Sequence, residues 1–148
     1  LCGALLRFCS AATATSLLLA GPAWSAPAWR GSGGAAGAYE NGRALLELAC
    51  EGSRLRLSAF SPGTGGRGAS LAVEVGGTAF LLDAGAPGPN SLSAVVPPAR
   101  AGLLVAALRK GKAAEVRVPA GRYSVPLTGS GAALAPLAAA CAPAPPGG

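Results

Sequence analysis

The chain has 148 residues, with 12 Lys and Arg against 6 Asp and Glu, and contains neither His nor Met. That length fits a single domain of modest core size, and the missing His excludes His-based triads, His-ligated metals and His proton shuttles. Apolar residues make up 51%, a share inflated by Ala, with 23 Gly and 13 Pro beside it, so counts of small residues carry little weight as signals of function.

Residues Leu1 to Ala28 begin with Arg7, run through the small and apolar stretch Phe8 to Ala20, and end in small residues. This is the pattern of a secretory signal peptide. Ala26-Pro27-Ala28 supplies a cleavage site before Trp29, and Ala23-Trp24-Ser25 an earlier one. The apolar run falls short of the roughly 20 residues of a membrane span and is broken by Gly21 and Pro22. Cys2 and Cys9 would leave with the leader, neither in a lipobox-like context. Cys50 and Cys141 then remain as an even pair in a chain expected to be periplasmic or secreted, the setting in which a structural disulfide forms. Closing a loop of that length stabilises a fold by about 4 to 5 kcal/mol in the chain-entropy model.

Segment 29–38, rich in Gly and Ala, reads as a flexible lead-in, and 142–148 (APAPPGG) as a disordered Pro/Gly tail. The folded domain is expected over 39–141. Leu46, Leu48 and Cys50 alternate with Glu47 and Ala49, and after a turn at Glu51-Gly52-Ser53 the residues Leu55, Leu57 and Ala59 alternate with Arg54, Arg56 and Ser58. Period 2 on both sides of a turn predicts a hairpin. Leu71, Val73 and Val75 lead through Gly76-Gly77, a pair suited to a primed turn, into a return strand over 78–83. Ser91 to Val96 is a fifth strand. Beyond Pro97-Pro98 the stripe Leu103, Leu104, Ala107 and Leu108 predicts a helix with Pro98 in its first turn and Gly111 at its end. Ala114, Val116 and Val118 pair back with Tyr123, Val125 and Leu127 across Pro119-Ala120-Gly121. Ser130 is placed to cap a last short helix with the stripe Leu134, Leu137 and Cys141, which Pro136 should kink or loosen. Cys50 and Cys141 both fall on inward positions. About seven short antiparallel strands with two short helices predict a mainly β fold, a small disulfide-stapled β-sandwich or open barrel, with the helices closing its open ends.

Gly63, Gly65 and Gly68 match a nucleotide-binding glycine pattern, but they join two β-patterned stretches with no helix to follow, so a connecting loop is the better account. Arg109, Lys110 and Lys112 form the densest cationic run. They offer contact with an anionic envelope surface, and they equally complement the dipole at a helix C-terminus without any partner. Arg54, Arg56, Arg117 and Arg122 would form one basic face if their strands were adjacent. The few aromatics near them and the expected export argue against nucleic acid. The six carboxylates are scattered, and no nucleophile elbow or Ser-x-x-Lys pair is present, so no catalytic residue, metal ligand or cofactor site is assigned and the chain is not expected to be an enzyme.

Val125 to Cys141 joins a strand to a Leu-x-x-Leu-x-x-x-Cys helix and is preceded by LLVAALRKG at 103–111. At Leu127, Gly129, Ala133, Leu134, Pro136, Leu137 and Cys141 this third of the chain resembles small exported proteobacterial proteins, the type VI secretion-associated VasI family and, more loosely, invasion-associated protein B. The resemblance implies a signal peptide, a compact β-rich fold, a disulfide from the last helix to the first core strands, and no catalytic residues. The function expected is that of a non-enzymatic periplasmic accessory or binding protein whose partner is another envelope protein, met through an unpaired sheet edge. Two other readings stand beside it: a small secreted inhibitor or ligand-carrying barrel, and a basic binder of anionic envelope polymer or lipid.

Overall fold

The structure is a computed structural model and describes residues 26–61 and 69–143. Nine strands form one continuous antiparallel sheet in the order β1-β2-β3-β4-β7-β6-β5-β8-β9. They are β1 (Ala28–Ser32), β2 (Ala35–Glu40), β3 (Arg43–Glu51), β4 (Arg54–Phe60), β5 (Ala69–Val75), β6 (Thr78–Gly88), β7 (Ser91–Val96), β8 (Ala113–Val118) and β9 (Gly121–Pro126). Helix α1 (Pro98–Lys110) joins β7 to β8, and α2 (Ser130–Cys141) follows β9. The sheet curls into a nearly closed barrel, so the expected β-rich, disulfide-stapled architecture with two helices is present.

The barrel is built by alternation. Leu46 and Leu48, Leu55 and Leu57, Leu71 and Val73, Phe80 and Leu82, Leu92 and Ala94, and Val116 and Val125 all point into one core, while the residues between them face outward. Burying each large side chain contributes about 1.5–3 kcal/mol. The hairpin β3/β4 turns at Gly52, and Gly76 (φ 57°) and Gly77 (φ 84°) supply the two positive φ angles of the β5/β6 turn.

Three expectations need correction. Segment 29–38 is no flexible lead-in: it carries β1 and most of β2, paired in register from Ala28↔Tyr39 to Ser32↔Ala35. Small residues are what this hairpin requires. Ala36 and Ala38 are buried, and a side chain on Gly31 would stand 2.7 Å from the Ala133 carbonyl oxygen of α2. Strand structure therefore starts at Ala28, ahead of the expected boundary at 39, and the strands number nine among the described residues. Second, the tail does not start at 142, because Ala142 is buried against the core; residues 144–148 lie outside the described residues, as do 1–25 of the expected leader. Third, the helices do not close opposite ends. β7 ends where α1 begins, β8 begins where α1 ends, and α2 follows the end of β9, so antiparallel order puts both helices at one end of the barrel, packed against each other.

Within the helices the expected stripes shift. α1 buries Ala101, Leu104, Val105 and Leu108, whereas Leu103 is exposed. Ser130 does not cap α2. Gly129 holds the N-cap position in a left-handed conformation, and the buried Ser130 hydroxyl donates to the Leu108 carbonyl at 2.7 Å. Leu108 belongs to the last turn of α1, whose carbonyls lack intrahelical donors, so Ser130 ties the two helices instead. α2 continues through Pro136. Proline withholds the hydrogen bond owed to Ala132, and both residues are exposed, which leaves that carbonyl open to water.

Candidate functional site

The Cys50 and Cys141 sulfurs are bonded, with the α-carbons 5.8 Å apart and 91 residues between them in sequence. Cys50 lies at the end of β3 and Cys141 closes α2, so the bond anchors the last helix to the helical end of the barrel. The Cys50 amide also donates to the Gly34 carbonyl at 2.7 Å, binding β3 to the start of β2.

Arg109 and Lys110 occupy the last turn of α1. The Arg109 Nε donates to the Gly131 carbonyl at 3.1 Å, a helix-to-helix contact, while Lys110 and Lys112 are exposed. The four strand arginines do not combine into one basic face, because β4 and the β8/β9 pair stand far apart in the sheet order. Arg56, Arg117 and Arg122 are each drawn to carboxylates nearby. Arg56 Nε lies 2.6 Å from Glu51, and Arg117 bridges Glu115 at 2.6 Å and Glu74 at 2.7 Å, with Arg122 at 4.0 Å from Glu115. The hydrogen bond from Arg56 holds Glu51 below the usual carboxylate range, and that from Arg117 does the same for Glu115. The glycine pattern at 63, 65 and 68 lies outside the described residues.

Sequence reasoning missed the edge of β6. β6 pairs with β7 only at Gly85↔Ser93 and Gly88↔Ser91, around a bulge. Continuing that register would set Val96, the last residue of β7, opposite Leu82, so Thr78 to Leu81 extend past the end of their neighbour. Thr78 closes the hairpin against Val75, and antiparallel alternation then directs the N–H and C=O groups of Ala79 and Leu81 away from β5. The Arg100 guanidinium of α1 caps the two carbonyls, donating to Leu81 at 3.2 Å and Ala79 at 3.3 Å, and lies over the Phe80 ring at 5.3 Å. Around this stretch stand the large apolar side chains that are exposed among the described residues: Leu81 (66%), Leu103 on the next turn of α1 from Arg100 (51%), and Val95 on β7 (40%). The difference in length leaves the stretch bare: the 11 residues of β6 cannot all be matched by the 6 of β7, a mismatch that shows only once the strands are paired.

At the end opposite the helices, the turn Asn41-Gly42 and the ends of β3 and β4 form a shallow cleft lined by Glu40, Arg43, Leu45, Phe60 and Asn90. Next to it, Tyr123 reaches from β9 to donate its hydroxyl to the Leu45 carbonyl at 2.7 Å. The barrel interior beneath is filled by the leucine and valine side chains of the core. No protein-family model, curated protein or solved structure matches the chain.

Proposed function

We propose that the protein is a non-enzymatic accessory or binding protein of the bacterial cell envelope, periplasmic or secreted, that engages another envelope protein by strand addition at β6. The observation that carries this reading is the stretch Thr78 to Leu81, which has no opposite strand on β7 and is flanked by exposed Leu81 and Leu103. An extended segment laid along it would find backbone partners at Ala79 and Leu81, displacing Arg100, and an apolar contact on the outer face. The disulfide supports an oxidising compartment, and the leader-like N-terminus and the resemblance to exported families agree with it. A packed interior favours this reading over a carrier that holds its ligand inside the barrel.

The experiment is affinity capture from an envelope fraction with the disulfide-intact protein and its Leu81→Lys variant. A protein held by the former and lost by the latter is expected. Nothing above background, or equal recovery by both, overturns strand addition at this edge.

A further inference from the structure

A surface helix normally buries an apolar stripe and turns charged residues to water. Here both helices bury such a stripe but turn mostly small apolar residues outward. Opposite the buried stripe of α1 lie Ala99, Leu103, Ala106 and Lys110, at helical spacing, and opposite the buried stripe of α2 lie Ala132, Ala135, Pro136 and Ala139. The helices pack side by side and are tied by Ser130 to Leu108 and by Arg109 to Gly131. Their outer faces therefore look out together from one end of the barrel.

The charge at this end has one sign. Segments 97–113 and 127–143 contain Arg100, Arg109, Lys110 and Lys112 and no Asp or Glu. Arg54 opens β4 at the same end. Glu51, Glu74 and Glu115, the acidic residues closest to it along their strands, are held by Arg56 and Arg117. Lys110 and Lys112 are exposed and make no ion pair among the described residues. An apolar platform with a cationic rim complements a surface that is anionic at its face and apolar just beneath, which is the chemistry of an anionic bilayer. A second copy docking face to face would instead bring like charges together.

We propose that the helical end of the barrel docks on an anionic phospholipid surface, with Lys110 and Lys112 at the phosphates and Leu103 at the interface. One leucine and a set of alanines bury little apolar area, so the association is reversible and weakens with salt. The β6 edge opens at the same end of the barrel and borders Leu103 as well, so lipid and an added strand would compete for that residue; the lipid reading does not depend on strand addition.

Sedimentation of the full, disulfide-intact chain with vesicles of phosphatidylglycerol and phosphatidylcholine, against phosphatidylcholine alone, tests this at low and high salt. Binding is expected only to the anionic vesicles. Lys110→Gln with Lys112→Gln lowers affinity about thirtyfold, at about fivefold per basic residue near the surface, and Leu103→Asp lowers it as well. Arg43→Gln with Arg122→Gln removes the same charge from the opposite end and changes affinity less than about threefold, the remnant expected of long-range charge alone. The proposal is overturned by binding that ignores lipid charge, by equal losses in the two double variants, or by a Leu103→Asp variant that binds as tightly as the parent. It is also overturned if the chain is a dimer that Leu103→Asp dissociates, because the face would then be covered by a second copy.

Discussion

Tyr123 reaches from β9 to β3, where its hydroxyl donates to the Leu45 carbonyl, with the Phe60 backbone of β4 close to the same oxygen. These two residues stand one step beyond Leu46↔Ala59, where the β3/β4 register stops, so the side chain from β9 replaces a ladder bond that the splayed strands no longer make. Burial pushes its pKa up to about 12 against the ordinary 10, the Phe60 backbone opposing the rise. The folded state thus favours the neutral phenol. Its contribution is full below about pH 10 and is lost as pH climbs towards about 12, an amount of about 3 kcal/mol for two units of pKa. Tyr123→Phe leaves the Leu45 carbonyl without its donor and should cost about 1–2 kcal/mol at neutral pH. Urea denaturation at pH 7, 10 and 11.5 should give a variant curve that loses less stability over the alkaline interval than the parent. Tyr39, also raised by burial and by its hydrogen bond to Glu47, titrates in both proteins and cancels in the comparison. Parallel alkaline losses would show that the phenol is not linked to folding.

The hairpin β1/β2 illustrates how small residues build an element without announcing it. Gly31 lets the α2 backbone approach so closely that a β-carbon there would meet the Ala133 carbonyl oxygen at 2.7 Å. Gly31→Ala must push α2 or β1 aside and should destabilise by about 1–3 kcal/mol, whereas Gly85→Ala, with open space around it, should change the melting temperature little. Equal effects of the two would mean that α2 is not seated on β1. The strands and turns from β3 to β9 were legible because Leu and Val alternate with charged or polar residues, and that contrast is the signal of a half-buried strand. In β1 and β2 the inward positions are Trp29, Ala36 and Ala38, and apart from Arg30, Tyr39 and Glu40 the other residues are Gly, Ala and Ser. Small residues facing both ways give almost no contrast, although Asn41-Gly42, with φ of 51° and 76°, is the favoured pair for a tight hairpin turn and marked the boundary. The Leu103 error has a related cause: in an Ala-rich helix two adjacent leucines fit a stripe centred on either, and only packing against the barrel selects Leu104. The disulfide was readable from cysteine number and an expected export, while the β6 edge depended on strand lengths that appear only once the pairing is known.

Sheet order explains why the molecule needs its last helix. Eight antiparallel steps separate β1 from β9, so the two edge strands run in the same direction and cannot continue the antiparallel ladder that joins every other pair. The gap is bridged by side chains and by α2. The Trp29 indole N–H donates to the Pro126 carbonyl at 2.8 Å, and α2 packs against β1, β2 and β3, held by Leu134, Leu137 and the Cys50–Cys141 bond. The bond thus secures the part of the barrel that backbone pairing leaves open, and it closes a loop that spans most of the domain. Replacing both cysteines by serine should cost about 4–5 kcal/mol, read as a lowered denaturation midpoint with little change in slope. The loss should be uneven. β2 to β9 remain one continuous ladder without the bond, whereas β1 is an edge strand with a single backbone neighbour and α2 keeps only its buried leucines, the Ser130 and Arg109 hydrogen bonds and its seat on Gly31. Hydrogen exchange in the double variant should therefore accelerate most in α2 and β1, as a local opening of lower free energy than global unfolding, and least in β3, β4 and β7. Uniform acceleration across the sheet would instead mean that closure by α2 is required for the whole barrel to stand, and that the domain has one cooperative unit in place of a barrel with a separable lock.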